Sequence, residues 1–339
     1  MAGKRFLLVK GSSGLGNRME VAMAAILYAR LSNRELVIDW SDHLYSDGEN
    51  VFHKLFDCPA HAPSDELPLT DSTYPAIWRD HMSKTVHEMR NQFGYTSDDV
   101  RKHLAADISQ IDRKEELVVL AGYQLNLDKL RPYFPGRFDE FVGKSEAFVI
   151  SEMLRRELIL RPEISAKVEK FRLEHFAHPT IGIHIRYSDR RSNVLGLIRR
   201  LNKVRRAAPQ AGIFLATDNI LIKERFERNY PTVVSTSHWY PSAGRPIHWT
   251  GKNHDKLASA IDGLIDIYLL AGCDYLIFDR SSSFARLAAA MSNSDPRRTF
   301  TVSGGYILST NSSWISLLTG YLHRQYVDLI TRLVPLRLI

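Results

Sequence analysis

An imidazole and a guanidinium, His184 and Arg186, stand two residues apart at the end of the apolar stretch IGIHIRYSD (181–189). Ile181, Ile183 and Ile185 alternate with Gly182, His184 and Arg186. That pattern reads as a buried strand ending in polar groups, with His184 and Arg186 on one face. In an open α/β sheet, ligands sit at the carboxyl ends of strands. A guanidinium there suits a phosphate oxygen, because its planar fork donates two hydrogen bonds and keeps its charge at any working pH. The competing reading is an arginine that closes a strand end by pairing with a nearby carboxylate such as Asp189. These residues alone leave both readings open.

Three further groups have chemistry in their spacing. KGSSGLGNR (10–18) is a glycine-rich turn in which Gly11, Gly14 and Gly16 let backbone approach a ligand. It opens a helix whose amino end favours negative charge, and Asn17 and Arg18 place an amide and a guanidinium at that start. Its G-x-x-G-x-G spacing is not the dinucleotide fingerprint, which disfavours a dehydrogenase. Ser281, Ser282 and Ser283 form a turn that can cap the following helix or hold a phosphate with the same hydroxyl and N–H groups. Asp262 and Asp266 lie one helical turn apart, either as an acid/base pair or as ordinary hydrogen-bonding and solvent-facing groups.

These groups need elements to carry them. Residues 5–9 read as a strand, 19–34 as a helix and 36–40 as a second strand, a β-loop-α-β start. Residues 41–115, rich in Asp, His, Ser and Pro, read as loops and short helices layered on a first domain. The strand pattern returns at 116–123. Residues 146–176 are helical and broken near Pro162, and 177–179 form a hinge into a second domain. There the organising strand is followed by a helix (191–208), a strand ending in Thr217 and Asp218 (213–219), and helix, strand, serine turn and helix over 256–292. The expected fold is α/β, with domains at 1–178 and 179–312. The segment 313–339 is expected to be a helix packed across them, with a basic membrane-surface helix as the alternative.

The bulk numbers narrow the class. The 339 residues are 44% apolar and 24% charged, as in an ordinary globular protein. No apolar run reaches membrane-spanning length, no signal-peptide pattern opens the chain, and Cys58 and Cys273 make no disulfide framework, so a cytoplasmic protein is expected. The net charge of +7 favours an anionic partner. The arginines of 191–208 read as a solvated face; without interleaved aromatic residues they argue against nucleic acid. No H-E-x-x-H, Cys/His cluster or D-x-D is present, so no metal or other cofactor is expected and cationic side chains would hold any phosphate.

GLGNR (14–18), H-x-R (184–186), ATDN (216–219) and SSSF (281–284), in that order, resemble the motifs of the GDP-fucose-dependent fucosyltransferases. LVIDW (36–40), RPEI before GIHIR, FLATD (214–218) and LIDIYLLAGCDYLI (264–277) are most similar to the branch that adds α-1,6-fucose to nodulation factors. The likeness spans most of residues 4–292. It implies a GT-B architecture, two Rossmann-like α/β domains facing a cleft, with the first binding acceptor and the second the donor. It also implies that Arg186 binds the β-phosphate of GDP-fucose and His184 the guanine or ribose side. Asp266 would accept guanine N–H donors, and Ser281, Ser282 and Ser283 would lie near the phosphates. Thr217 and Asp218 would form the base of the donor site, and Gly14, Gly16 and Asn17 would close over it.

The implied activity is metal-independent, inverting transfer of fucose to a sugar acceptor, α-1,6 to GlcNAc of a chitin-oligosaccharide-like glycan. Asp189 is the candidate base, although the loop Tyr187–Arg191 departs from the family's pattern, as does the tail. The alternatives are a GT-B transferase with another nucleotide sugar, or a binding module without catalysis.

Overall fold

The computed structural model describes residues 4–122, 127–176, 178–188, 190–240, 255–292, 296–304 and 306–307. The chain divides into two compact units, Met1–Ser165 with Asp255–Ile261, and Ala166–His254 with Asp262–Ile339.

The first unit is built on β1 (Phe6–Lys10), α1 (Leu15–Ser32), β2 (Glu35–Asp39), β3 (Thr73–Tyr74), α2 (Val86–Phe93), β4 (Leu117–Ala121) and α3 (Glu146–Arg156). Its sheet has the order β2-β1-β4-β3, all parallel. Both faces are covered, which is why FLLVK and LVVLA are apolar almost without interruption. Helix α1 is buried along nearly its whole length, with apolar residues on all sides and Arg18, Glu20 and Ser32 buried among them. It starts at Leu15, earlier than the expected 19, so Gly16, Asn17 and Arg18 belong to its first turn and not to the loop. The Tyr45 hydroxyl accepts from the Leu15 N–H at 2.9 Å, satisfying one of the amino-terminal donors.

The glycine that this turn requires is Gly11. A Cβ there would overlap the Arg18 guanidinium and come within 2.9 Å of the Trp40 ring. Arg18 cannot yield easily. Its Nε donates to the Ser13 carbonyl at 2.8 Å, and its Nη2 reaches both Asp42 carboxylate oxygens at 2.6–2.7 Å. The guanidinium also lies over the Trp40 and Tyr45 rings. At Gly14, by contrast, an added Cβ would meet only the Tyr45 hydroxyl, at 4.0 Å.

After α4 (Pro162–His175), the second unit runs through β5 (Thr180–Ile185), α5 (Val194–Ala207), β6 (Gly212–Thr217) and α6 (Ile220–Asn229). It continues with β7 (Val233–Val234), the part of α7 (Lys256–Ala271) that begins at Asp262, β8 (Tyr275–Asp279), α8 (Ser283–Met291) and β9 (Thr299–Val302). Its sheet is again all parallel, in the order β7-β6-β5-β8-β9. The chain steps outward from β5 in one direction, then returns to lay β8 on its other side. The switch point of the sheet therefore lies between β5 and β8, where open α/β sheets bind ligands. The core is made by Ile181, Ile183 and Ile185 of β5 with Leu197, Leu201, Ile213 and Leu215. The segment 313–339 lies outside the described residues, and no described helix is long and apolar enough to cross a membrane.

Substituting Gly11→Ala is expected to lower stability by about 3 kcal/mol, the scale of breaking a buried ion pair. Thermal or urea unfolding measures it. A wild-type midpoint would show that the Arg18 contact yields freely.

Candidate functional site

Register brings the first site residues together. Ile185 of β5 is opposite Thr217 of β6, so the residues that follow, Arg186 and Asp218, leave the sheet side by side. Asp218 then binds the chain leaving β5. Its Oδ1 accepts from the Tyr187 N–H at 2.6 Å, its Oδ2 accepts from the Ser188 hydroxyl, and the Arg186 Nε lies 3.9 Å from it. Asn219 donates to the Tyr187 carbonyl at 3.3 Å and caps α6 through the Leu221 and Ile222 N–H groups. From the other side, the Arg186 N–H donates to the Ser192 hydroxyl at 3.2 Å and the Arg186 carbonyl accepts from the Ser192 N–H at 2.9 Å. Among the described residues the carboxylate near Arg186 is Asp218; Asp189 lies outside the described residues. Thr217 is buried at the end of β6, and its hydroxyl accepts from the Asn219 N–H at 3.3 Å.

His184 is on β5 itself and buried. Its ring stacks on Phe284 with centroids 5.0 Å apart, and its Nδ1 lies 3.4 Å from the Ser282 hydroxyl. Burial pushes its pKa down to about 3, with the Arg186 charge adding to the effect against Asp279. It is thus a neutral imidazole at ordinary pH and able to accept one hydrogen bond. Asp279, at the end of β8, accepts from both the N–H (3.0 Å) and the hydroxyl (2.7 Å) of Ser281. Ser282 caps α8, accepting from the Ala285 N–H at 3.3 Å. The serines accordingly divide the work: Ser281 closes the turn, Ser282 caps, and Ser283 is the first helical residue. Asp279 is a site residue that motif reading missed. Its signal was present, since an Asp two residues before a Ser makes an Asx turn.

Asp266, buried on α7, belongs to a separate polar cluster of the same unit. Its Oδ1 accepts from the Thr236 hydroxyl at 2.7 Å. That hydroxyl lies 3.2 Å from the His238 Nδ1, and His238 packs on Tyr240 with ring centroids 4.3 Å apart. Among the described residues the buried His238 Nε2 and Tyr240 hydroxyl find no hydrogen-bond partner. Burial raises the Asp266 pKa to about 7, aided by the Asp262 charge and opposed by the Thr236 bond and Lys223. Residues 236–240 carry no motif of their own and could not be picked out from the chain alone.

Gly14, Gly16 and Asn17 lie in the first unit, at the start of α1. Arg18 corrects an expectation, because it is buried against Asp42 and its guanidinium is not presented to a substrate.

A family model described as Nodulation protein Z (NodZ) matches residues 149–296, a span that includes β5, its Arg186 loop and the serine turn. Over that span the chain is similar to NodZ. Nodulation protein Z of Azorhizobium caulinodans is 28% identical over 320 residues, covering 83% of this chain and 88% of the relative. That of Bradyrhizobium diazoefficiens is 25% identical, covering 84% and 78%. A crystal structure of NodZ α-1,6-fucosyltransferase soaked with GDP-fucose shares the fold at a TM-score of 0.56 and 20% identity, covering 86% of this chain and 93% of that one. The NodZ likeness and the two parallel sheets flanked by helices agree with the expected GT-B class.

The raised pKa of Asp266 has a testable sign. The folded protein keeps this proton between about pH 4, where an unfolded Asp loses it, and about pH 7. Stability contributed by the neutral carboxyl therefore falls as pH rises through that window. Relative to wild type, Asp266→Asn is expected to gain stability steadily from the acid to the neutral end, read as urea midpoints. Parallel pH profiles for the two proteins would refute an elevated pKa.

Proposed function

We propose that the second unit holds GDP-fucose and that the protein transfers its fucosyl group to a hydroxyl of a sugar acceptor. The observation that carries this reading is Arg186, held by its neighbours at the carboxyl end of the central strand, beside the switch point, with neutral His184 and the serine turn before α8 close by. The matching solved structure soaked with GDP-fucose supports the choice of donor.

In the proposed reaction the acceptor oxygen forms a bond to the anomeric carbon as the bond from that carbon to the β-phosphate oxygen breaks. A single displacement of this kind inverts the anomeric centre. GDP departs with growing negative charge, which the permanent Arg186 cation stabilises as it develops. Ser282 and the amino end of α8 add N–H donors toward phosphate. Arg186 would thereby do without a metal the work a divalent cation does elsewhere. Asp266 would accept from guanine N–H donors in its ionised form. Asp189 is the proposed base for the acceptor proton. Thr217 and Asp218 would support the donor contacts through the loop they hold. The first unit, with the short elements of 41–115, would carry the acceptor. That acceptor is proposed to be a chitin-oligosaccharide-like glycan taking α-1,6-fucose on GlcNAc. The free thiols Cys58 and Cys273 are in keeping with a reducing, cytoplasmic setting.

The test is release of GDP from GDP-fucose in the presence of EDTA, with and without chitin oligosaccharides, GDP-mannose serving as control donor. Acceptor-stimulated release from GDP-fucose alone is expected. No release from either donor by folded protein would refute the proposal. Arg186→Ala is expected to lose at least about a hundredfold in turnover, or about 2.7–4 kcal/mol, the scale of one oxyanion donor, with unfolding unchanged. Asp218→Ala should also slow turnover, and the double variant should be little worse than Arg186→Ala if Asp218 acts through that arginine. Additive losses would mean that the two act independently.

A further inference from the structure

Helix α5 has the sequence VLGLIRRLNKVRRA, five cations and no carboxylate. Its apolar stripe, Leu197, Ile198, Leu201 and Val204, is buried in the core of the second unit. Two of the cations fold back on neighbouring rings, Arg200 over Phe300 at 5.3 Å and Arg205 over Tyr230 at 5.1 Å. The other three, Arg199, Lys203 and Arg206, are exposed. Their spacing of four and then three residues places them in one row, roughly 10 Å long.

The row is unlike the other charged helices. Arg155 and Arg156 of α3 pair with Glu152, Arg172 of α4 with Glu169, and Lys223 of α6 with Glu227. Among the described residues Arg199, Lys203 and Arg206 have no such carboxylate. The sequence offers these three cations outward without local neutralisation.

We propose that this face of α5 docks on an anionic lipid bilayer surface. A bilayer presents smeared negative charge and asks for no pocket, which suits a convex row of flexible cations. Single-stranded nucleic acid fits less well, because the row carries no exposed aromatic platform for bases. The apolar stripe of α5 is committed to the core, so this helix inserts nothing and its attachment is purely electrostatic. It is therefore reversible, salt-sensitive and independent of the donor site. Each Lys or Arg near such a surface strengthens attachment by about fivefold, so neutralising all three weakens it by about a hundredfold.

Purified full-length protein would be sedimented with vesicles of phosphatidylcholine alone or mixed with phosphatidylserine, at low and high salt. The triple variant Arg199→Gln, Lys203→Gln, Arg206→Gln would be compared after its thermal melt and its GDP release in solution are shown to match wild type. An independent pair of charge reversals, Arg199→Glu with Arg206→Glu, guards against a folding artefact in the first variant. The expected result is partition onto the mixed vesicles only, lost at high salt and reduced in both variants. Absence of partition, equal partition onto neutral vesicles, or wild-type partition by both folded variants would overturn the proposal. So would tighter binding of a single-stranded RNA oligomer that the same substitutions abolish, which would make this a nucleic-acid face.

Discussion

Asp218 accepts from the Tyr187 N–H and the Ser188 hydroxyl, and this pair of bonds decides whether Arg186 has a defined position. Ordering three residues of loop costs about 1–2 kcal/mol each in backbone entropy. Two hydrogen bonds to a carboxylate return about 1.5–3 kcal/mol each, which roughly offsets that cost and no more. The margin must come from the flanks: Asn219 to the Tyr187 carbonyl, Ser192 to both backbone groups of Arg186, and the Arg191 guanidinium over the Tyr187 ring. The catalytic reading of Arg186 therefore rests on a small network spread over two strand ends.

The same unit separates its titratable groups by environment. Arg186 keeps its charge at the partly exposed rim, while two residues earlier burial and that very charge keep His184 neutral. A second cation at 184 would sit in low dielectric beside the first, so one charged group and one acceptor are what this strand end can sustain. Asp266 is poised near neutrality by burial, and a ligand that donates hydrogen bonds to its carboxylate would draw the proton off.

Much of this was legible in the chain. β1, β4 and β5 are buried on both faces and read directly as apolar runs, and the His184–Arg186 spacing placed both groups at a strand end. What escaped depends on partners distant in sequence. The start of α1 looked like loop because Leu15-Gly16-Asn17-Arg18 has poor helix propensity, yet the Tyr45 hydroxyl caps it and Asp42 anchors Arg18. β3 is only Thr73–Tyr74 in a proline-rich stretch and exists because Leu117 and Val118 pair with it. Asp266 stood out only by its spacing from Asp262, and its buried partner could not be read, since Thr236 approaches it from thirty residues away.

One contact under the sheet of the second unit carries a consequence for geometry. A side chain at Gly182 would come within 2.9 Å of the Cys273 Sγ and 3.2 Å of Leu270. The bare glycine lets the end of α7 settle against β5 at a fixed depth, like a key seated in a notch. Gly182 is two residues before His184, and Leu270 is one helical turn after Asp266. The notch thus calibrates the spacing between a strand-borne acceptor and a helix-borne carboxylate, and positions 182 and 273 should change size in concert wherever that spacing is kept.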